Sequence, residues 1–174
     1  DADGARVFAD DTRLHLDGGC FGAACPQPGA FGQVRGAATF DGIDDIITVP
    51  DTSTLRLRTF SIGLWVRPTE IRSGRQTLVN RGGYSEASSQ DANDENRNYY
   101  IGIEPMSMTL RFLAGQTPYV FPGAPDPGKP EACATLAPLF NLTTTKKLNL
   151  KQWNHVMGTF DGRIARLYVN GSLA

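Results

Sequence analysis

The fold is decided by residues 153–171, which read Trp-Asn-His-Val-Met-Gly-Thr-Phe, then Asp161-Gly162, then Arg-Ile-Ala-Arg-Leu-Tyr-Val, then Asn170-Gly171. Two runs that alternate apolar and polar residues flank the Asp-Gly pair, which is the strongest short-range signal for a β-hairpin. Because both turn residues tolerate positive φ, we expect a type I′ turn at Asp161-Gly162. Asn170-Gly171 predicts a second hairpin. The stretch therefore predicts an antiparallel sheet whose next strand lies outside these 174 residues.

The rest of the chain carries further strand and turn signals and no helical periodicity. Residues 60–66 alternate, with Phe60, Ile62, Leu64 and Val66 on one face and Ser61, Gly63 and Trp65 on the other, and this predicts a central strand. Shorter strands are predicted at residues 14–16, 37–40, 46–49, 76–80, 99–103 and 108–113. Together these signals give roughly eight to ten short strands, which indicates an all-β sandwich.

Composition limits the functions that are compatible with this chain. The 40% of hydrophobic and 20% of charged residues are typical of a folded protein with one domain. The net charge is −1 and no long basic run occurs, so a nucleic-acid partner has no electrostatic support. No segment approaches the roughly 20 apolar residues that a spanning helix needs, so no membrane span is expected.

Two long segments lack any regular apolar pattern. Residues 85–98 are polar and acidic, and residues 115–139 contain six prolines. Because proline cannot donate a ladder hydrogen bond, the second segment cannot be a central strand. Both segments are interpreted as surface loops.

The three cysteines are Cys20, Cys25 and Cys133. Cys20 and Cys25 enclose a short loop of small residues, which could bring the two sulfurs into bonding range. A local disulfide is favoured over two free thiols, and a zinc site would require a second Cys or His pair nearby. Cys133 is left unpaired in either case.

Three pieces of sequence carry a family resemblance when they are taken in order. They are Ala38-Thr-Phe-Asp-Gly-Ile-Asp-Asp-Ile-Ile-Thr-Val-Pro50, Phe60-Ser-Ile-Gly-Leu-Trp-Val-Arg-Pro68, and residues 152–162 followed by Leu167-Tyr-Val-Asn-Gly171. Together they resemble the laminin G-like domains of the concanavalin A-like lectin/glucanase superfamily, in the form common in secreted bacterial proteins.

The resemblance implies a jelly-roll sandwich of two antiparallel sheets and a role in recognising carbohydrate or protein surfaces. Residues 37–174 would form this sandwich, and residues 1–36 would add an edge strand and the cysteine-containing loop, within one domain overall. Similar domains continue past the Val-Asn-Gly turn, so the C-terminal strands are expected to be missing here. The open sheet edge is a pairing hazard, and a strand from a partner chain or another fragment could complete it.

The resemblance also raises the question of catalysis. Glucanases of this superfamily carry two glutamates around an aspartate on one strand, so that the carboxylates share one face. The five glutamates here, Glu70, Glu86, Glu95, Glu104 and Glu131, do not form that pattern. His155 lies inside a predicted strand with no Ser or Cys nucleophile in a recognisable motif. The chain is therefore expected not to be an enzyme.

A candidate metal site lies in the turn that contains Asp41, Asp44 and Asp45. Carboxylate oxygens at this density suit Ca²⁺, and similar domains often hold a structural calcium ion. The equal alternative is that these side chains cap the turn by accepting backbone N–H bonds.

Candidate ligand-binding residues are aromatic side chains near loops, where a ring could stack on a sugar face. Tyr84, Tyr99 and Tyr119 hold such positions, although Tyr99 and Tyr100 straddle a strand and one ring is expected in the core. Trp65 and Trp153 are expected to be core residues.

Two functional hypotheses follow from these patterns. The first is a non-catalytic, extracellular, cell-surface or periplasmic module that binds carbohydrate. The alternative is a structural module for protein–protein assembly, in which another chain covers the open sheet edge.

Overall fold

The computed structural model describes residues 5–29, 31–82, 97–115 and 140–174. The chain divides into two compact units, residues 1–55 and 56–174, and the expected subdivision between residues 36 and 37 falls inside the first unit. The strands are β1 (Arg6–Phe8), β2 (Gly18–Cys20), β3 (Gln27–Gly29), β4 (Ala37–Thr39), β5 (Phe60–Val66), β6 (Gln76–Gly82), β7 (Arg97–Ile103), β8 (Leu110–Ala114), β9 (Phe140–Thr143), β10 (Asn154–Phe160), β11 (Ala165–Val169) and β12 (Ser172–Leu173). No helix among these residues is long and apolar enough to cross a membrane.

The second unit contains two antiparallel sheets of four strands each. Their strand orders are β12-β11-β10-β5 and β6-β7-β8-β9. The strands predicted at residues 60–66, 76–80, 99–103 and 108–113 correspond to β5, β6, β7 and β8, whereas β9 has no counterpart in the sequence prediction. The prediction of an all-β fold consistent with a jelly-roll sandwich is confirmed.

The hydrophobic core of this unit lies between the two sheets. Phe60 of β5 makes an edge-on contact with Phe112 of β8, with ring centroids 6.3 Å apart. Phe160 of β10 lies 5.7 Å from Phe60 and 5.1 Å from Phe140 of β9. Such tilted aromatic pairs add to the stabilisation from apolar burial. The side chains that point inward from the alternating strands therefore pack against one another and hold the two sheets together.

Strands β10 and β11 form the predicted hairpin, but its turn lies one residue further along the chain. Phe160 pairs with Ala165, and the N–H of Asp161 donates to the carbonyl of Ile164. Gly162 has a φ of +90°, whereas Asp161 does not have a positive φ. The predicted type I′ turn at Asp161-Gly162 is therefore wrong. The Asp161 carboxylate explains the shift, because it accepts the backbone N–H groups of Arg163 and Ile164.

The same two bonds hold the pKa of Asp161 below its usual value. Its carboxylate, which lies 3.5 Å from the guanidinium of Arg166, therefore stays ionised to a lower pH than an ordinary aspartate does.

The second predicted hairpin turn is confirmed. Asn170 and Gly171 have φ values of 51° and 77°, as a type I′ turn requires. Val169 and Ser172 pair across this turn and begin the contact between β11 and β12. The Asn170 side chain also accepts the backbone N–H of His155, at 2.8 Å, so the turn is attached to β10.

The first unit differs from its sequence prediction in two places. The edge strand lies at β1 and not at residues 14–16, where the Asp10 carboxylate accepts the backbone N–H of Leu16 instead. Residues 46–49 do not form a strand with residues 37–40. Thr48 instead makes an isolated antiparallel bridge to Gly19, with two 2.8 Å backbone bonds. Strand β4 instead pairs with β3, for which no strand was predicted.

Candidate functional site

Of the three tyrosines predicted to bind a ligand, the described residues include Tyr99, and this residue does not lie on the surface. Tyr99 lies in β7 and is only 7% exposed, with its ring 5.4 Å from that of Phe60 in the core. Its ring is therefore not available for stacking on a sugar. Tyr100, on the opposite side of the strand, is also buried. Tyr84 and Tyr119 lie outside the described residues, as does Cys133, and their assignments stay predictions.

An exposed aromatic residue is found on the sheet β12-β11-β10-β5, on the side away from the core. Trp65 is 45% exposed, so the expectation that it is a core residue is wrong. It lies directly opposite His155 of β10, and the two ring centroids are 5.0 Å apart at an angle of 56°. Both backbone groups of His155 are hydrogen-bonded to Asn170: its N–H donates to the Asn170 side chain, and its carbonyl accepts the Asn170 N–H. The cross-strand pair therefore presents two ring systems on a fixed backbone.

A second aromatic residue continues this row. Trp153 precedes β10, is partly buried, and lies beneath the guanidinium of Arg67, which is 5.4 Å from the centre of the indole ring. Such a cation–π contact restricts the conformations that the exposed Arg67 side chain can adopt. Trp153 is thus neither a core residue nor a fully open platform.

The row of side chains has a gap beside Trp65. Gly63 carries no side chain, and a Cβ placed there would meet only the imidazole Nε2 of His155, at 3.6 Å, and a backbone oxygen at 4.0 Å. Met157 pairs with Gly63 on one side and with Tyr168 on the other. We call this outward surface the Trp65 face, and it comprises Gly63, Trp65, Arg67, Trp153, His155, Met157 and Tyr168. An aromatic ring beside a gap, with polar and cationic groups around it, has the chemistry to hold a sugar.

The three aspartates predicted to hold calcium lie in one bend, where two of them bond to the backbone. The Oδ2 of Asp45 accepts the N–H of Asp41 at 2.6 Å, and the Oδ1 of Asp41 accepts the N–H of Ile43 at 2.8 Å. These bonds match turn capping. Among the described residues, no group of three or more His, Cys, Asp or Glu side chains is placed to hold a metal ion. Asp41 and Asp45 therefore cap the bend, and calcium binding by Asp41, Asp44 and Asp45 is not tested by these bonds.

Calcium binding at this turn stays a prediction with a direct test. A bound ion would stabilise the folded state by mass action, so removing it with a chelator should lower the melting temperature. Replacing Asp44 and Asp45 with asparagine should abolish that difference. A melting temperature that is the same with and without chelator would remove calcium from this site.

The predicted bond between Cys20 and Cys25 is present, with an S–S distance of 2.04 Å. Both residues are buried, and the loop between them contains a single turn of 3-10 helix at Gly22–Ala24. Gly22 begins this turn with a φ of 58°, a conformation that glycine adopts without strain. The bond therefore encloses a compact local loop in the first unit.

The second unit has three described carboxylate side chains, and they do not form a common site. They are Glu70, Glu104 and Asp161, and each lies within ion-pair distance of an arginine: Arg72, Arg75 and Arg166 in that order. They lie in three different connections between strands. The arrangement of paired carboxylates that glycoside hydrolysis requires on a shared face is not found among these three residues.

A comparison with protein families agrees with this geometry. The model of the laminin G-like family in the concanavalin A-like lectin/glucanases superfamily matches residues 41–174. The chain belongs to this superfamily. Laminin G-like domains are in general lectin-type, non-catalytic folds that bind carbohydrate or protein, and they are typical of extracellular proteins. No curated protein and no solved structure matched the chain in the corresponding comparisons.

The laminin G-like match does not identify the Trp65 face, and the sequence prediction missed it as well. The alternation nevertheless indicated an outward position for Trp65. This residue lies an even number of positions from Ser61 and Gly63 and an odd number from Phe60, so it shares a side of the sheet with the first two. The expectation of a core position did not use this signal, although parity decides which side of a sheet a residue occupies.

Proposed function

We propose that this laminin G-like chain is a non-catalytic, extracytoplasmic recognition module that binds carbohydrate at the Trp65 face. The observation that carries the proposal is the exposed Trp65 ring beside His155, on a strand held by pairing with β10. Aromatic rings provide a large, flat apolar surface at a low cost in side-chain entropy. Membership in a carbohydrate- or protein-binding superfamily and the disulfide support the same proposal.

The polar groups around Trp65 supply the directional part of recognition. His155 offers a ring nitrogen beside the Gly63 gap, and Arg67 carries donors just beyond the end of β5. A ligand pocket typically combines an apolar surface with a few placed polar groups that orient the ligand. The Trp65 face has both components on adjacent strands.

Replacing Trp65 with alanine is expected to weaken binding of a glycan selected from an array by about tenfold or more, since each tenfold is about 1.4 kcal/mol. Stability should change little, because the ring contributes nothing to the core between the sheets. Affinity is measured by isothermal titration calorimetry, and the bound oligosaccharide should be recovered unhydrolysed.

Phe31→Ala is the matched control, because Phe31 is 85% exposed in the first unit and lies outside the proposed site. Equal affinity of Trp65→Ala and the unmodified protein would contradict the proposal, and so would the absence of any glycan that binds.

A second candidate function is protein–protein assembly through the edge of β5. Among the described strands, β5 pairs only with β10, so one side of a seven-residue strand lacks a neighbouring strand. Its inward residues Ile62, Leu64 and Val66 are only partly buried, whereas Val156 and Phe160 of β10 are fully buried. An added strand would cover these side chains and satisfy the backbone groups of the edge.

Hydrogen exchange distinguishes the two functions. A strand-completing partner would protect backbone amides of β5, and the complex would sediment as more than one chain. A monomer that binds an oligosaccharide and leaves β5 exchange unchanged supports carbohydrate recognition alone.

A further inference from the structure

The cation–π contact between Arg67 and Trp153 joins two residues that lie outside the strands. Arg67 follows the last residue of β5, and Trp153 precedes the first residue of β10. The ladder between the two strands ends at the pair of Val66 and Asn154, so it does not extend to either partner of the contact. Other bonds must therefore fix the positions of the guanidinium and the indole ring.

The turn at residues 149–152 connects the two segments. The N–H of Lys151 donates to the carbonyl of Pro68 at 2.7 Å, and the N–H of Gln152 donates to the carbonyl of Asn149 at 3.4 Å. Lys151 has a φ of 61°, a left-handed conformation that residues other than glycine rarely adopt. The turn therefore depends on bonds from other residues to keep this shape.

The side chain of Asn154 provides such bonds. Its Oδ1 accepts the N–H of Asn149 at 2.9 Å, and its Nδ2 donates to the carbonyls of Asn149 and Gln152 at 2.9 and 2.8 Å. A carboxamide offers both acceptor and donor groups, so one side chain satisfies three backbone groups of the turn. Because Asn154 is fully buried, leaving these groups without partners would be costly.

Asn154 acts from the core side of the sheet. It is two residues from the buried Val156, and residues two apart on a strand share a side of the sheet. Trp153 and His155 lie on the opposite, outward side. Asn154 therefore cannot contact a ligand on the Trp65 face and can affect it only through the residues that it holds.

A further contact connects Asn154 to the other aromatic pair of this face. The Oδ1 of Asn154 lies 3.4 Å from the Nδ2 of Asn170, and the Oδ1 of Asn170 accepts the N–H of His155 at 2.8 Å. One buried amide thus contacts both the turn that precedes Trp153 and the side chain that is bonded to His155.

Both partners of the cation–π contact lie between fixed points of the backbone. Arg67 lies between Val66, which pairs with Asn154 in the sheet, and Pro68, whose carbonyl is bonded to the turn. On the neighbouring segment, Trp153 lies between the turn and Asn154 itself. The distance of 5.4 Å from the guanidinium to the indole ring therefore depends on the shape of the turn.

We propose that Asn154 is a positioning residue of the Trp65 face, which fixes the turn at residues 149–152 and thereby holds the Trp153 ring beneath the guanidinium of Arg67. The importance of this role for ligand binding rests on the proposed carbohydrate-binding function. Groups that are held in place before a ligand arrives lose less entropy when it binds. Asn154 would thus contribute to recognition without touching the ligand.

The test uses the fluorescence of Trp153. The chain contains two tryptophans, so Trp65→Phe leaves Trp153 as the single reporter, and quenching by acrylamide measures how open its ring is to solvent. In this background, Asn154→Ala should raise the quenching constant towards that of free tryptophan, because the ring is no longer held beneath Arg67. Arg67→Gln should raise it as well, and the two effects should not add in a double-mutant cycle.

Asn98→Ala in the same background is the matched control. Asn98 is also fully buried and also makes three bonds to the backbone, but it does so in the other sheet. It should reduce stability against urea, as Asn154→Ala does, and leave the quenching of Trp153 unchanged. An equal rise in quenching in both variants would indicate a general loosening of the fold and would overturn the proposal. Additive effects of Asn154→Ala and Arg67→Gln would overturn it too.

Hydrogen exchange of the unmodified chain tests the same arrangement without any substitution, so a variant that fails to fold does not remove the test. Asn149 and Lys151 are exposed, but their N–H groups donate to Asn154 and Pro68. We expect these two amides to exchange as slowly as those of β10. Exchange as fast as at the neighbouring exposed Lys147 would show that the turn is not held, and would overturn the proposal.

These measurements use no ligand, so they separate this inference from the function on which it rests. If no glycan binds but the quenching and exchange results are as expected, carbohydrate recognition is contradicted and the positioning of Trp153 by Asn154 is supported. If a glycan binds through Trp65 but the quenching of Trp153 does not respond to Asn154→Ala, the positioning role is overturned and carbohydrate recognition stands.

Discussion

Replacing Asn98 with alanine is expected to lower the free energy of unfolding by about 3 kcal/mol or more, because each buried backbone group left without a partner costs about 1–3 kcal/mol. Asn98 is fully buried at the start of β7. Its Oδ1 accepts the N–H of Leu57, and its Nδ2 donates to the carbonyls of Leu57 and Gly115, at distances of 2.8 to 3.1 Å. Three backbone groups therefore depend on one side chain.

Urea denaturation of the full chain measures this change. Asn98→Asp separates the contributions, since it keeps an acceptor for the Leu57 N–H but loses both donors and adds a buried charge, so it should be at least as destabilising. The matched control is Asn141→Ala, which removes one exposed contact with Arg111 and should change stability by less than about 0.5 kcal/mol. A loss in Asn98→Ala no larger than in this control would show that water replaces the three bonds.

The second large effect is expected for Gly158→Ala, which should destabilise the sandwich by about 1–3 kcal/mol through overpacking. Gly158 lies on the inward side of β10, and a Cβ placed there would be 2.8 to 3.1 Å from three ring atoms of Phe112. Phe112 is fully buried in the core, so its ring has little room to move. The approach of the two sheets at this point therefore depends on glycine.

Two variants test the cause of this effect. Gly63→Ala, on the outward side of the same strand pair, should change stability little, because the new Cβ makes only ordinary contacts. Phe112→Leu should make Gly158→Ala less destabilising in the double variant than in the unmodified background, which a double-mutant cycle would detect. Additive effects would indicate that the clash with Phe112 is not the reason.

The strand pattern was predictable because the physical signal is local. A residue's parity along β5 or β10 decides which side of the sheet it occupies, and the Asn170-Gly171 pair accommodates positive φ at both turn positions. The same local signal was less reliable at Asp161, where the carboxylate formed alternative hydrogen bonds to the backbone and moved the turn by one residue.

The candidate site was less predictable, because exposure depends on what covers each side of a sheet. Parity alone could not show that both faces of β7 are buried. Because they are, Tyr99 is not on the surface. The core position expected for Trp65 was wrong, since the residue is exposed. The cation–π contact between Arg67 and Trp153 joins residues that are distant in sequence, so no local pattern could reveal it.

By itself, the sequence determined an all-β protein with a hairpin between β10 and β11, a second turn at Asn170-Gly171 and a local disulfide, because alternation, turn chemistry and cysteine spacing act over a few residues. The concanavalin A-like family came from the resemblance of three ordered motifs. The tertiary structure alone decided that Thr48 bridges to Gly19, that Asn98 is a buried clamp, and that Trp65, His155 and Arg67 meet on one outward surface. These features depend on strand register and on the stacking of two sheets. Such contacts between residues far apart in the chain are specified by the fold as a whole.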